Sequence, residues 1–313
     1  MSIVLNVRPI DQTSFLTSEV RMILSVTHSP LPVMFRKYHA LGNDYLILDP
    51  AQQPAELARG LTPAQASALC DRQRGVGSDG IVYGPLLDEA AQPGHFACVI
   101  WNPDGSQAEV SGNGLRIFAR YLLDVGYVSL QGERVCVLHS GGRAIPITYG
   151  SSPDAPIRAE LGRASTAPGP KTLPGDLVAA LGLPTLVGVG NPHCVFFPSI
   201  AIDESLARRW GPRVESDPAF PQRTNVQFAR VIDSHAITIE IWERGAGYTQ
   251  ASGSSSCAAA VAAIHRGECA SPVTVQMAGG ELTVDVTSND DGWCVALTGP
   301  VTPVFWGSLA IGD

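Results

Sequence analysis

With 313 residues, 45% of them hydrophobic and 16% charged, the chain has apolar material for one large domain or two ordinary ones, and reads as a soluble globular protein. A formal net charge of -8 excludes the concentrated basic surface that a nucleic acid or an anionic membrane would require. Its seven cysteines are odd in number, scattered and never spaced C-x-x-C, which argues against a disulfide framework or zinc site and for a reducing cytoplasm.

Residues 1–33 hold short apolar clusters interrupted by Arg8, Asp11, Glu19 and Arg21, without the continuous apolar core of a signal peptide or a membrane span. A poorly ordered extension or an early start site is expected there. At Met34 the rhythm changes: "MFRKYHALGNDYLILD" alternates as a strand, turns at Gly42-Asn43-Asp44 and resumes as "YLILD". Further β-rich runs follow, among them "GIVYGPL", "FACVIW", "RVCVLHS", "IRAELG", "TNVQFARVI", "AITIEIW" and "LTVDVT". Helices are expected over "PAQASALCDRQ", "GLRIFARYLLDVG", "PGDLVAALG", "ESLARRWGP" and "SCAAAVAAIHRG". Many strands with a long helix after each Ser-Gly cluster predict an α+β fold, its sheets wrapped around helices, rather than a doubly wound sheet. The Pro/Gly/Ser-rich stretch 151–175 is the expected crossing between halves. "GVGSDG", residues 75–80, fits G-x-G-x-x-G, but it follows a helix and precedes a strand, the reverse of the dinucleotide-binding context.

The chain also repeats itself. In "ACVIWNPDGSQAEVSGNGLRIFARYL" and "ITIEIWERGAGYTQASGSSSCAAAVAAI" a strand ends in Ile-Trp, a polar glycine-containing loop follows, and Ser-Gly comes ten positions after the tryptophan, at Ser111 and Ser252, before an apolar helix. Duplication of one α/β half, with a cleft between the copies, accounts for all of these shared features. A serine before a helix caps it. A helix start also presents unpaired N–H groups and the positive end of the dipole, so it can hold a carboxylate. Two such ends facing one cleft would bind a substrate carboxylate and bring Ser111 and Ser252 to opposite sides of its α-carbon. Polar turns at Asn43, at Asn191 and His193, and at Asn225 add uncharged groups; Arg244 could grip a carboxylate and Glu243 receive an ammonium.

Together "FRKYHALGNDYLILD", "CDRQRGVGSDG", "NPDGSQAEVSGNGLRIFARYL", "GVGNPHCVFF" and "WERGAGYTQASGSSSCAAA" resemble, in order and spacing, the motifs of diaminopimelate epimerases. The resemblance runs from Met34 to near the C-terminus. It implies two pseudo-symmetric halves, each a sheet wrapped around a central helix, as in proline racemase and the phenazine-biosynthesis isomerase. The halves are expected at 34–153, joined by a C-terminal strand at 299–313, and at 154–298. It implies the interconversion of LL- and meso-diaminopimelate in the cytoplasm by two-base transfer of the α-proton. No cofactor is implied, neither pyridoxal phosphate nor metal, and a homodimer is expected. Carried over residue by residue, Gly112, Asn113, Gly253 and Ser254 would hold the reacting carboxylate. Asn43, Asn102, Asn191, Asn225, Glu243 and Arg244 would bind the remaining amino and carboxylate groups, and His193 and Glu243 would assist the bases.

The bases themselves differ. The family's "CGNG" is here "SGNG" and its "ACGSG" is "ASGSS", so Ser111 and Ser252 occupy both catalytic cysteine positions; Ser255 takes a glycine's place and Tyr248 a glutamate's. A thiol has a pKa near ~8.5, lowered further at a helix start, whereas a serine hydroxyl is a far weaker acid that needs a neighbouring base. Three readings follow: an epimerase with serines in the base positions, a binding relative or cysteine-to-serine variant without turnover, and an isomerase of a different small acid that uses the side-chain hydroxyls or His193 and Tyr248.

Overall fold

The computed structural model describes residues 32–86, 92–108, 110–289 and 292–310. Of the poorly ordered extension expected over 1–33, residues 1–31 lie outside the described residues, whereas Pro32 and Val33 belong to the first strand, where Val33 is buried. From Pro32 onward the chain forms the strands β1 (Pro32–Ala40), β2 (Asn43–Leu48), β3 (Gly80–Leu86), β4 (His95–Trp101), β5 (Gln107–Ala108), β6 (Val135–Ser140), β7 (Arg143–Thr148) and β8 (Ile157–Pro168). They continue as β9 (Thr185–Gly188), β10 (Pro192–Phe196), β11 (Asn225–Asp233), β12 (Ala236–Glu243), β13 (Gly247–Thr249), β14 (Val273–Met277), β15 (Gly280–Asn289), β16 (Gly292–Gly299) and β17 (Thr302–Ala310). Five α-helices accompany them among the described residues: α1 (Pro63–Cys70), α2 (Gly112–Asp124), α3 (Gly175–Leu181), α4 (Glu204–Glu215) and α5 (Gly253–His265).

The strand pairings run twice through the same sequence of directions. β1–β2 is antiparallel, β2–β3 parallel, β3–β4 antiparallel and β4–β6 parallel, and β6–β7 and β7–β8 are antiparallel. The same order returns with β9–β10 antiparallel, β10–β11 parallel, β11–β12 antiparallel, β12–β14 parallel, and β14–β15 and β15–β16 antiparallel. Even the short hairpins match: β5 folds back on the end of β4, and β13 on the end of β12. The long strand β8 pairs with β16 along its first part and with β9 along its last. β17 closes the order by pairing with β1, Pro32 opposite Ala310.

α2 and α5 are the buried elements that this strand order surrounds. In α5 the run Ser255–Ala263 is buried without interruption, and in α2 the run Asn113–Leu122. A helix apolar on every side must be covered on every side. Alanine suits α5 because it is a strong helix former with no bulk to hold neighbouring strands away. α2 solves the same problem with charge inside. Arg120 Nε reaches Asp124 Oδ1 at 2.8 Å and Arg120 Nη1 the Val301 carbonyl at 3.2 Å, so its buried guanidinium is paired.

Three elements differ from the sequence expectation. α1 stops at Cys70 rather than running on to Gln73, because the Asp71 carboxylate accepts the Gln73 and Arg74 amides (2.7 and 2.8 Å) and turns the chain. α4 continues past Pro212 to Glu215; its Gly211 is needed there, since a Cβ would lie 2.3 Å from Trp242 Cγ. The stretch 151–175 read as a crossing holds the whole of a twelve-residue strand, β8.

Candidate functional site

Ser111 and Ser252 are the N-caps of α2 and α5. The Ser111 Oγ accepts the Gly114 amide at 3.1 Å, and the Ser252 Oγ accepts the Ser255 amide at 3.3 Å. The two helix starts abut. A Cβ built on Gly253 would lie 3.4 Å from Asn113 Oδ1, 3.8 Å from the Asn113 amide nitrogen and 2.8 Å from Leu297 Cδ2. A Cβ on Gly112 would stand 3.3 Å from the same Leu297 atom and 3.2 Å from Leu161 Cδ1. Glycine at both positions therefore lets two sets of unpaired N–H groups come together over one leucine floor, where partial positive charge from both dipoles converges.

A cavity of about 690 Å³ opens at this junction. Asn43, Asn102, Ser111, Gly112, Asn113, Asn191, Asn225, Glu243, Arg244, Tyr248, Ser252, Gly253 and Ser254 all line it. Of the candidates singled out in the sequence, only His193 stays off the wall. It is buried, its Nε2 lies 2.8 Å from Asn191 Oδ1, and it borders a separate, smaller hollow. Burial lowers its pKa to about 3, with Arg244 acting in the same sense and the Gln227 side chain opposing. His193 is therefore a neutral ring that orients Asn191.

Several of the polar residues hold one another. The fully buried Arg116 guanidinium donates to Asn113 Oδ1 (2.8 Å), Asn113 Nδ2 to Asn43 Oδ1 (3.0 Å), and Asn43 Nδ2 to Asp79 Oδ2 (2.9 Å), so the amides are polarised in one direction from a buried cation to a carboxylate. Asn225 spans two loops, its Nδ2 on the Pro192 carbonyl (2.9 Å) and its Oδ1 under the Arg244 amide (3.0 Å). Asn102 ties its own turn, to Ser106 Oγ at 2.9 Å. The Tyr248 hydroxyl donates to Glu240 Oε2 (2.9 Å), a residue that does not line the cavity.

The two N-cap serines are unequally furnished. Ser252 shares the cavity wall with Glu243, whose carboxyl pKa is raised by burial, held back by Ser252 and pushed further by Asp79. Ser111 instead meets the Tyr45 hydroxyl at 3.0 Å. None of the seven cysteines lines the cavity, and no cluster of three or more His, Cys, Asp or Glu poised for a metal occurs among the described residues.

Sequence reasoning missed four residues that matter here. Tyr45 stands two residues after Asn43 in "GNDY", and Asp79 lies inside the "GVGSDG" set aside as a nucleotide motif; both line the wall. Arg116 is visible in the sequence only as a charge in an apolar helix. Glu215 gives no local signal at all. From the end of α4 its carboxylate takes the Gly245 amide (2.6 Å) and Trp242 Nε1 (2.8 Å) and so fixes the turn that carries Glu243 and Arg244.

Comparison with known proteins shows the family and the fold. A family profile described as "Diaminopimelate epimerase" matches residues 35–166 and 185–304. The chain is 42% identical over 286 residues to "Diaminopimelate epimerase 2" of Nostoc sp., covering 88% of this chain and 95% of that one. It is 36% identical over 302 residues to the "Diaminopimelate epimerase" of Synechococcus sp., covering 90% and 99%. Among solved structures, a PhzF-family phenazine biosynthesis protein of Bacillus anthracis superposes with a TM-score of 0.67 at 14% identity, over 90% of this chain and 99% of that one. A probable proline racemase of Agrobacterium radiobacter superposes with a TM-score of 0.65 at 15% identity, over 89% and 93%. At such identities the likeness is one of fold.

Proposed function

This chain belongs to the diaminopimelate epimerase family, and we propose that it inverts the α-carbon of diaminopimelate by moving a proton from one face to the other. The observation that carries the reading is the meeting of the α2 and α5 starts at one cavity, with a hydroxyl-bearing N-cap on each. The reacting carboxylate would sit on the Gly112, Asn113, Gly253 and Ser254 amides, which stabilise the charge that builds up as the α-proton leaves. Arg244 and the ring of asparagines would take the distal groups, with Glu243 near an ammonium. Ser111 and Ser252 occupy the two base positions.

The doubled pairing order supports two pseudo-symmetric halves, 34–153 with 299–313, and 154–298, with β8 shared between them. A homodimer in the cytoplasm fits the family, and β17 carries exposed apolar side chains, Val304, Phe305 and Trp306, that a partner could cover.

Incubation with LL-diaminopimelate in deuterated water tests the reading: deuterium should enter the α-position and meso-diaminopimelate should appear. One observation favours a second reading, a protein that binds this amino acid without turning it over: no thiol lines the cavity. Saturable binding without any exchange would establish that alternative.

A further inference from the structure

Within the epimerase reading, on which this inference rests, the two faces of the site are chemically different. Serine on both sides makes the neighbours decisive, since an aliphatic hydroxyl moves a proton only with help. On the wall of the same cavity as Ser252 stands a carboxyl, Glu243, which can take a proton from the hydroxyl. Beside Ser111 stands a phenol. Tyr45 is 7% exposed, and among the described residues its hydroxyl has one hydrogen-bond partner, Ser111 Oγ at 3.0 Å. A buried phenol with a single neighbour donates to it, because an unplaced O–H costs about 1–3 kcal/mol. With Tyr45 as the donor, Ser111 Oγ accepts twice, from Tyr45 and from the Gly114 amide, and its own proton is left for the cavity.

We propose that Ser252 with Glu243 forms the proton-accepting face of the site and Ser111 with Tyr45 the proton-delivering face, Tyr45 acting as the positioning residue and proton reserve of Ser111. In the forward step Ser252 Oγ takes the α-proton while its own proton passes to the Glu243 carboxylate. The C–H electron pair stays on the α-carbon and spreads into the carboxylate held by the helix starts. Ser111 delivers its proton to the opposite face and regains one from Tyr45. Solvent then removes the proton from Glu243 and restores that of Tyr45, so no other reactant is consumed. Burial, Glu243 and Asp79 raise the Tyr45 phenol to about 12 against the pull of Ser111, and it remains a stronger acid than the serine it serves.

The test uses the full chain with LL- and meso-diaminopimelate offered separately in deuterated water, following α-deuterium uptake and epimer formation. In Tyr45→Phe, epimerisation should fall more than ~10-fold, the scale of a lost acid–base group. Uptake without inversion should persist, within about twofold, from the one stereoisomer whose α-proton faces Ser252. Glu243→Gln should show the mirror image, with uptake surviving only from the other stereoisomer. A Tyr45→Phe variant that epimerises like the parent, or in which uptake from both stereoisomers falls by one common factor, would overturn the proposal. A misfolded Tyr45→Phe leaves the Glu243→Gln arm to decide, and equal loss of both uptakes there likewise overturns it. A parent protein that exchanges neither stereoisomer removes the epimerase reading itself, a result distinct from symmetric loss in the variants.

Discussion

Gly253 faces Asn113 across the junction of two helices, closely enough that a methyl group on the glycine would meet the asparagine's side-chain oxygen at 3.4 Å and Leu297 at 2.8 Å. The two helix starts are thus set against each other by the absence of one carbon atom.

Gly253→Ala should therefore act as a wedge. Overpacking of this kind costs about 1–3 kcal/mol, and it forces the N–H groups of the two helices apart. Thermal denaturation should show the loss of stability, and turnover of diaminopimelate should fall by more than ~10-fold in the fraction that remains folded, as expected when a substrate is misplaced by a fraction of an ångström. Retained turnover would mean that the helix starts do not share one carboxylate.

Restoring thiols should raise the rate. In Ser111→Cys with Ser252→Cys, each sulfur would stand at a helix start, where thiolates are stabilised. Each group contributes about 10²–10⁴-fold as a general acid or base. The doubly substituted protein should epimerise LL-diaminopimelate at least ~10²-fold faster than the parent, measured by the appearance of the meso isomer. Unchanged or lower turnover would show that the site has been rebuilt around hydroxyls.

Glu215 makes a prediction about recognition rather than chemistry. Its buried carboxylate accepts from Trp242 and from the Gly245 amide and pairs with Arg223 at 2.7 Å. Glu215→Ala removes the acceptor that the half-buried Trp242 indole and the exposed Gly245 amide share, at a cost of about 0.5–1.5 kcal/mol for each hydrogen bond lost. Because the turn it holds carries Arg244, KM should rise more than kcat falls. Equal effects on both would place its role in folding alone.

His193 sets an acid limit on stability. The folded state keeps the ring neutral down to about pH 3, whereas an unfolded histidine takes up a proton near pH ~6.5. Below that value the unfolded chain binds a proton that the folded chain does not, so stability falls as the pH drops from about 6.5 toward 3 and is fully present above that window. Denaturant titrations across the window should show this slope, and His193→Gln should flatten it even though it lowers stability at neutral pH.

Much of this was legible in the sequence, for a physical reason. The repeat survives because strand, turn and capped helix each impose their own residue types at fixed spacing. The pair Ser111-Gly112 and Ser252-Gly253 therefore pointed to one place before any coordinate was known. What stayed hidden is what depends on partners far along the chain. Tyr45 becomes part of the site only because β2 runs beside the start of α2, and Glu215 because α4 packs on β12 and β13. His193 shows the opposite case: its motif looks chemical, but the fold buries the ring behind Asn191. The extent of β8 was obscured by Pro, Gly and Ser, residues that mark loops in most contexts and here decorate both ends of a strand.

The pairing of β1 with β17 has a mechanical side. These strands are antiparallel, and Pro32 lies opposite Ala310, so the two extremities of the described fold leave from the same edge. A load applied through those residues would peel the strands apart one bond at a time rather than shear them together. Traction on the ends would thus meet its weakest resistance where Pro32 and Ala310 meet, at the end of β1 opposite the turn into Asn43, and the seam would begin to open from there.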